Sequence, residues 1–188
     1  MENTMKKLAV MVSGSGTILE AMIEKGLPII LVIADRSCRG LEIAKSAGIK
    51  TVLLPRIFGK DFNRLQYTLD TVEVLKDNSI DIVAMAGYMT VFNKVMFESQ
   101  NYKDRITNIH PALLPAFKGD HAVRDALAFG VKITGTTIHF ATEKLDDGPI
   151  ITQEAVPVLD GDTVEILHER IKIVERRLYP EAIRGLLS

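Results

Sequence analysis

The sequence predicts an α/β fold, built on a mostly parallel twisted sheet with helices on both of its faces. The apolar segments are short and nearly continuous, which is typical of strands buried on both faces. Segments with helical spacing separate them, and two of these end at a glycine, where helices commonly stop. Strands and helices that alternate at this rhythm indicate parallel strands joined by right-handed crossovers.

The apolar segments predict seven strands, at residues 8–12, 28–34, 51–54, 81–86, 105–109, 133–140 and 150–158. Helical spacing predicts helices at residues 17–25, 41–47 and 61–77, and a last helix from Thr163 that stops at Pro180, because proline interrupts a helix. In the third helix we expect one apolar face formed by Leu65, Leu69, Val72 and Leu75. Nothing in the sequence divides residues 1–188, so we expect a single domain.

Composition and charge limit the possible functions. The 188 residues are 47% hydrophobic and 25% charged, as in ordinary globular proteins. The formal net charge of −1 argues against non-specific binding to nucleic acid or to a membrane, since both need a basic surplus. Cys38, the one cysteine, leaves no disulfide and no cysteine pair for zinc, which fits a reducing cytoplasm. The polar start, residues 1–7, does not resemble a signal peptide, and no stretch reaches the roughly 20 apolar residues of a membrane span.

A glycine-containing loop, Ser-Gly-Ser-Gly-Thr at residues 13–17, joins the first expected strand to the first helix. Glycines let the backbone expose its amide N–H groups, and a helix N-terminus adds partial positive charge, so a phosphate binds well at such a place. Leu19 stands where a dinucleotide-binding fingerprint has its third glycine, and the loop lacks the lysine of a Walker motif. A cradle for a monophosphate and a plain tight turn therefore both remain open.

A second segment, Asn-Ile-His-Pro-Ala-Leu-Leu-Pro at residues 108–115, follows the fifth expected strand. Asn108 and His110 are two apart, so on extended backbone both point to one face, at the edge where parallel sheets bind ligands. An amide donor beside an imidazole suits attack on a carbonyl, and Asp146, in the turn 145–149, is a candidate to orient the imidazole. From spacing alone, a backbone cap, a structural histidine and an ordinary turn remain open.

Together these segments resemble the folate-dependent formyltransferases, and most closely the branch that formylates phosphoribosylglycinamide (GAR). The resemblance covers nearly the whole chain, with its most specific strings at residues 108–115 and 145–149 and further matches at 12–17, 85–89 and 135–140. It implies a single-domain, Rossmann-like formyltransferase fold. The N-terminal part would bind the phosphate of GAR, and the C-terminal part would bind folate and carry the catalytic residues.

The resemblance also implies the reaction. The amine of GAR would attack the formyl carbon of 10-formyltetrahydrofolate, giving formyl-GAR and tetrahydrofolate in de novo purine (IMP) biosynthesis. Asn108 would hydrogen-bond the carbonyl oxygen, the cationic His110 would stabilise the oxyanion or donate a proton, and Asp146 would keep His110 charged and relay the amine proton. The resemblance implies no metal, a cytoplasmic location, and either a monomer or a homodimer.

Binding residues follow from the same resemblance. For GAR they are Gly16, Thr17, Ile18 and Glu175; Ile18 replaces the side-chain amide expected there, and a solvated helix face is the alternative for Glu175. For folate they are Arg64, the segment Met89, Thr90, Val91 and Phe92, and Asn108 with the loop Thr142, Glu143, Lys144, Leu145 and Asp146. We call residues 89–92 the pterin-pocket segment.

Several positions depart from the pattern or stay secondary. Thr90 replaces an arginine, which removes a positive charge next to the folate, and Lys118-Gly119 replaces Pro-Gly, which affects loop stiffness. His121 and His139 match histidines near the site and are expected to support it.

Three other functions compete with transfer to GAR. A formyltetrahydrofolate deformylase would use water as acceptor, and Phe117 with residues 130–133 resembles that branch. We expect such an enzyme to carry an additional N-terminal domain, whereas this chain begins at the first strand, and a phosphate cradle would serve no purpose in it. A methionyl-tRNA formyltransferase would need a basic surface. A non-enzymatic folate- or nucleotide-binding protein would not need Asn108, His110 and Asp146 together.

Overall fold

One seven-stranded sheet forms the centre of the protein. The computed structural model describes residues 6–57 and 59–188. The expectation about a signal peptide falls largely on residues 1–5, which lie outside the described residues. The strands are β1 (Leu8–Val12), β2 (Ile29–Ala34), β3 (Lys50–Leu53), β4 (Ile82–Met85), β5 (Ile106–His110), β6 (Ile133–Phe140) and β7 (Ile150–Pro157).

The strand order is β3-β2-β1-β4-β5-β6-β7. The pairs from β3 to β5 are parallel, whereas β6 pairs antiparallel with both β5 and β7. The chain first builds outward from β1 to β3 and then returns to place β4 on the other side of β1. Because the connections leave in opposite directions there, a crevice opens at the carboxyl ends of β1 and β4.

Helices cover both faces of this sheet. They are α1 (Thr17–Glu24), α2 (Arg39–Ser46), α3 (Arg64–Asp77), α4 (Ala122–Phe129) and α5 (Val164–Leu187), with a short 3₁₀ helix at Lys94–Phe97. Alternate residues of β1 point to opposite sides: Val10 packs into a core with α1, α2 and α5, and Met11 into a core with α3 and the 3₁₀ helix. The predicted fold class is therefore confirmed.

Two predictions about the helices were wrong. Leu65 and Leu69 of α3 are exposed, and the buried face carries Thr68 and Thr71 beside Val72 and Leu75. The two threonine hydroxyls donate to backbone carbonyls one turn earlier, so they are buried at little cost.

The last helix also continues past Pro180 to Leu187. Packing explains this, because Tyr179 and Ile183 are fully buried and Leu187 is partly buried against the core around α1. This apolar burial offsets the hydrogen bond that the proline removes.

Among the described residues, no helix combines the length and the hydrophobicity that a bilayer span requires.

Substitution of Gly135 in β6 tests how tightly the sheet packs near the site. A Cβ there would lie 2.1 Å from the Glu154 carbonyl oxygen and 2.8 Å from Leu113. We expect Gly135→Ala to lower the free energy of unfolding, measured by urea denaturation, by about 1–3 kcal/mol through overpacking. The matched control is Gly185→Ala in α5, where nothing lies within 4 Å and alanine should stabilise by up to about 1 kcal/mol. Equal stability of the Gly135 variant and the native protein would contradict this packing.

Candidate active site

The carboxyl ends of β1, β4 and β5 meet at one edge of the sheet and bring the candidate residues together. Ser13, directly after β1, donates its backbone N–H to the Gly87 carbonyl after β4 (3.2 Å). Next to β4, Asn108 and His110 end β5, and Asn108 pairs across the sheet with His139 of β6. The glycine loop, the pterin-pocket segment and the expected catalytic residues therefore share one crevice.

Asp146 lies between two buried histidines. Its Oδ2 is 3.4 Å from His110 Nδ1, and its Oδ1 is 3.6 Å from His139 Nε2. Gly119 donates its backbone N–H to Oδ2 (2.9 Å), and Asn108 Nδ2 lies 3.4 Å from His139 Nε2. Asn108, His110 and Asp146 thus belong to one polar cluster with His139, which the sequence had indicated as a supporting residue.

Burial and charge together set the ionisation of Asp146. Burial by itself raises the pKa of this carboxyl. The hydrogen bonds from His139 and the Gly119 N–H, with the positive charges of His110 and His139, outweigh burial and hold the pKa below its usual value. Asp146 is therefore a carboxylate at neutral pH, as a partner for a cationic imidazole requires.

The ring of His110 has an acceptor beside each nitrogen. Nε2 donates to the Phe117 carbonyl (2.7 Å), and Nδ1 faces Asp146. Phe117 itself has a left-handed backbone (φ 51°), and its carbonyl belongs to the loop whose Gly119 holds Asp146.

The glycine loop has the backbone that a phosphate cradle needs. Gly16 precedes α1 with φ of 72°, and a Cβ there would lie 2.7 Å from the Cα of Gly40, so only glycine fits. The first amide N–H groups of α1, from Thr17 onward, have no acceptor within the helix. The side chain of Ile18 is buried in the core, so at the loop this residue offers its backbone N–H.

Glu175 is buried within α5, which excludes the solvated-face alternative. The residue is 5% exposed, and Thr136 donates its hydroxyl to Glu175 Oε1 (3.3 Å). The same hydroxyl lies 3.1 Å from the His110 carbonyl, so Glu175 sits next to the backbone at the end of β5. Burial raises the pKa of Glu175 to about 7, against the opposing effects of Thr136 and of Lys172 and Arg176.

A largely apolar cavity opens beside Asn108. It is lined by residues predicted for folate, by His139, which was expected to support the site, and by four residues that the sequence did not single out. The residues predicted for folate are Thr90, Val91, Phe92, Asn108, Thr142, Glu143, Lys144, Leu145 and Asp146, and the four others are Met85, Tyr88, Phe97 and Ala141. Arg64 and Met89, also predicted for folate, are exposed and lie outside this lining.

The added lining residues carried different signals in the sequence. Met85 and Tyr88 lie within the matched string 85–89, whereas Phe97 belongs to a 3₁₀ helix without apolar periodicity. His121 stands at the start of α4 with an exposed side chain, 3.9 Å from Asp120. Within residues 6–57 and 59–188 it makes no hydrogen bond or ion pair with the polar cluster around Asp146. Lys118 forms an ion pair with Asp147, which ties its loop to the Asp146 loop.

The described part of the chain holds no cluster of three or more histidine, cysteine, aspartate or glutamate side chains placed to bind a metal ion.

Comparison with known proteins identifies the family. The model of the formyl transferase family matches residues 6–183. The chain belongs to the formyl transferase family. It is 42% identical to the phosphoribosylglycinamide formyltransferase of Mycobacterium tuberculosis, over 97% of this chain and 85% of that protein. It is 40% identical to the bovine trifunctional purine biosynthetic protein adenosine-3, over 97% of this chain, and spans 18% of that longer protein.

Solved structures of the same family share the fold. The phosphoribosylglycinamide formyltransferase of Streptococcus pneumoniae superposes with a TM-score of 0.89 at 37% identity, covering 98% of this chain and all of that one. Glycinamide ribonucleotide transformylase 1 of Symbiobacterium toebii superposes with a TM-score of 0.87 at 42% identity, covering 98% of this chain and 88% of that one. The predicted formyltransferase fold is therefore confirmed.

The raised pKa of Glu175 predicts a dependence of stability on pH in this formyl transferase. The native pKa of about 7 lies above the ordinary 4.5, so the contribution of this group is fully present below pH 4.5 and is lost as pH rises through 7. Between these values the native protein should lose about 3 kcal/mol of unfolding free energy relative to Glu175→Gln, at 1.36 kcal/mol per pH unit. Urea denaturation of both proteins across this range measures this loss. Parallel curves of unfolding free energy against pH would contradict the raised pKa of Glu175.

Proposed function

We propose that this chain transfers the formyl group of 10-formyltetrahydrofolate to the amine of GAR, giving formyl-GAR and tetrahydrofolate in de novo purine biosynthesis. The observation that carries the proposal is the cluster of Asn108, His110 and Asp146. It lies beside the apolar cavity, at the same edge of the sheet as the glycine loop before α1. The names of its relatives favour this acceptor over water. We further propose that residues 1–188 act as one domain in the cytoplasm.

The phosphate of GAR is assigned to the glycine loop. The backbone N–H groups at Gly16, Thr17 and Ile18 would donate to its oxygens, and the positive end of the α1 dipole favours the negative charge. Glu175 would accept hydrogen bonds from the ribose hydroxyls. Support for this role comes from its burial with one hydroxyl partner, since a buried carboxylate with few donors gains from further ones.

Folate is assigned to the apolar cavity. Val91, Phe92 and Leu145 provide apolar surface for a flat heterocycle, while Asn108 and Asp146 mark the end at which the formyl group would lie. Met89 and Arg64 are exposed near this region and are proposed to contact the part of folate that projects from the cavity. Ser13 of the glycine loop is hydrogen-bonded to Gly87, next to the cavity-lining Tyr88. The two proposed sites therefore adjoin at the β1–β4 crevice, and the two substrates would meet at Asn108.

The reaction follows from these positions. The amine of GAR attacks the formyl carbon, and negative charge develops on the formyl oxygen. Asn108 donates its amide N–H to that oxygen, and the imidazolium of His110 stabilises the oxyanion or donates its proton. Asp146 keeps His110 cationic and accepts the amine proton through water. Collapse of the tetrahedral intermediate breaks the bond to the folate nitrogen. That nitrogen takes up the proton that Asp146 accepted from the amine and leaves as tetrahydrofolate.

Dependence on GAR separates the proposed function from its alternatives. The purified protein given 10-formyltetrahydrofolate should release tetrahydrofolate only when GAR is present, as followed by absorbance. Glycinamide is the matched control, because it has the amine but lacks the phosphoribosyl group that the glycine loop would hold, and it should support little turnover. Release without an acceptor would instead indicate a deformylase, and no release in either mixture would indicate a non-enzymatic binding protein.

Removal of the charge at Asp146 tests the proton relay. We expect Asp146→Asn to lower kcat by about 10²–10⁴-fold, the usual contribution of acid–base catalysis, because His110 loses the carboxylate that keeps it charged. Asp147→Asn is the matched control, since Asp147 is the next residue, carries the same group and is largely exposed. It should keep activity within about threefold of native, as surface pairs contribute little. A near-native rate for Asp146→Asn, with circular dichroism unchanged, would exclude the relay.

A further inference from the structure

A second buried carboxylate, Asp35, lies at the same edge of the sheet, outside the catalytic cluster. It directly follows β2, and its side chain has no exposed surface. Arg36 donates from Nε to Oδ1 and from Nη2 to Oδ2, both at 3.0 Å. The Thr90 hydroxyl, from the pterin-pocket segment, donates to Oδ2 at 2.8 Å.

The partners of Asp35 keep it ionised. Burial alone raises the pKa of this carboxyl, but hydrogen bonds from Arg36, Thr90 and Ser13 outweigh burial and hold the pKa below its usual value. A buried carboxylate holds its donors strongly, because charge-assisted hydrogen bonds are about twice as strong as neutral ones. Thr90 is therefore fixed by a stronger bond than an ordinary hydroxyl makes.

The pterin-pocket segment depends on such bonds for its position. Residues 86–93 lie between β4 and the 3₁₀ helix and belong to no helix or strand. Both backbone polar groups of Met89 are hydrogen-bonded: its N–H donates to Ser13 Oγ (2.9 Å), and its carbonyl accepts from Arg56 Nη1 (3.2 Å). Thr90 is 1% exposed and adds the bond to Asp35. Val91 and Phe92, which line the cavity, follow directly.

A neighbouring pair supports the same wall from behind. The Tyr88 and Tyr67 hydroxyls are 2.5 Å apart, and Tyr67 donates to the Leu54 carbonyl (3.0 Å), so Tyr88 is the donor to Tyr67. This pair anchors Tyr88 to α3, whereas Asp35 anchors Thr90 to β2. These hydroxyls thus attach the cavity wall to α3 and to β2. Of these two attachments, only the bond to Asp35 involves a charged group.

We propose that Asp35 is a positioning residue for the folate site. It holds Thr90, and through Thr90 it fixes Val91 and Phe92 against the heterocycle, without touching either substrate. This rests on the proposed function for the identity of the ligand. Its consequence is selective: loss of the Asp35–Thr90 bond weakens folate binding more than it affects GAR or the chemical step, because the glycine loop and the Asp146 cluster keep their own contacts.

A double-mutant cycle tests the proposal. Thr90→Val removes the hydroxyl at constant shape, and Asp35→Asn removes the charge at constant shape. We expect each to raise the ratio of the KM for 10-formyltetrahydrofolate to the KM for GAR by about tenfold, the equivalent of one good hydrogen bond. The double variant should show about the same increase as either single one, because both remove the same bond. Thr90→Ser, which keeps the hydroxyl, should recover most of the lost affinity.

Two outcomes would overturn the proposal that Asp35 positions the folate site. If the effects multiply in the double variant, Thr90 acts on folate independently of Asp35. If Asp35→Asn raises both KM values equally or lowers kcat alone, Asp35 has a general structural role. Should Asp35→Asn not fold, as judged by circular dichroism, Thr90→Val against Thr90→Ser still decides whether the hydroxyl matters.

Calorimetric titration with tetrahydrofolate separates this proposal from the proposed function, because it requires no turnover. If the native protein binds tetrahydrofolate but transfers nothing to GAR, the proposed function fails. A tenfold larger dissociation constant for both single variants still supports positioning by Asp35 in that case. Unchanged dissociation constants in both single variants would overturn it.

Discussion

The reversal of strand order between β1 and β4 is the constraint on which the whole site depends. Because connections leave β1 and β4 in opposite directions, their carboxyl ends stay uncovered, and the loops that follow them lie side by side. The hydrogen bond from Ser13 to Gly87 joins these two loops directly. The glycine loop and the cavity wall therefore keep a fixed separation, as the proposed transfer between two bound substrates requires.

The same edge buries three carboxylates, and their partners differ according to their assigned tasks. Asp146 has two histidines and a backbone N–H, and Asp35 has a guanidinium and two hydroxyls, so both stay ionised. Glu175 has a single hydroxyl, which does not compensate for burial, and its pKa rises. A buried carboxylate is costly until it is satisfied. The two satisfied groups are thus suited to hold protein atoms in place, and the unsatisfied one is suited to receive a ligand.

Sequence patterns predicted the strands and the candidate catalytic residues better than the cavity around them. Strands buried on both faces are visible as apolar runs, and Asn108 and His110 share a face by period alone. The exposed Leu65 and Leu69 and the continuation through Pro180 were missed because tertiary packing overrides periodicity and propensity there. Asp35 gave no signal, since its role arises only when β2 and the segment after β4 meet. Helix α4 was missed because its eight residues form a short pattern.

The contact between His110 and Phe117 explains how the site can favour the transition state over the bound substrate. Nε2–H donates to a neutral carbonyl, which is adequate while the formyl group is uncharged. On the proposed mechanism, charge appears on the formyl oxygen only as the amine attacks, and a cationic imidazole then binds that anionic oxygen more strongly than a neutral carbonyl, because the two charges attract. A shift of the Nε2–H hydrogen bond from the Phe117 carbonyl to the formyl oxygen is therefore favourable at that stage and not earlier. An interaction that strengthens only along the reaction accelerates it, whereas equal binding of both states would not.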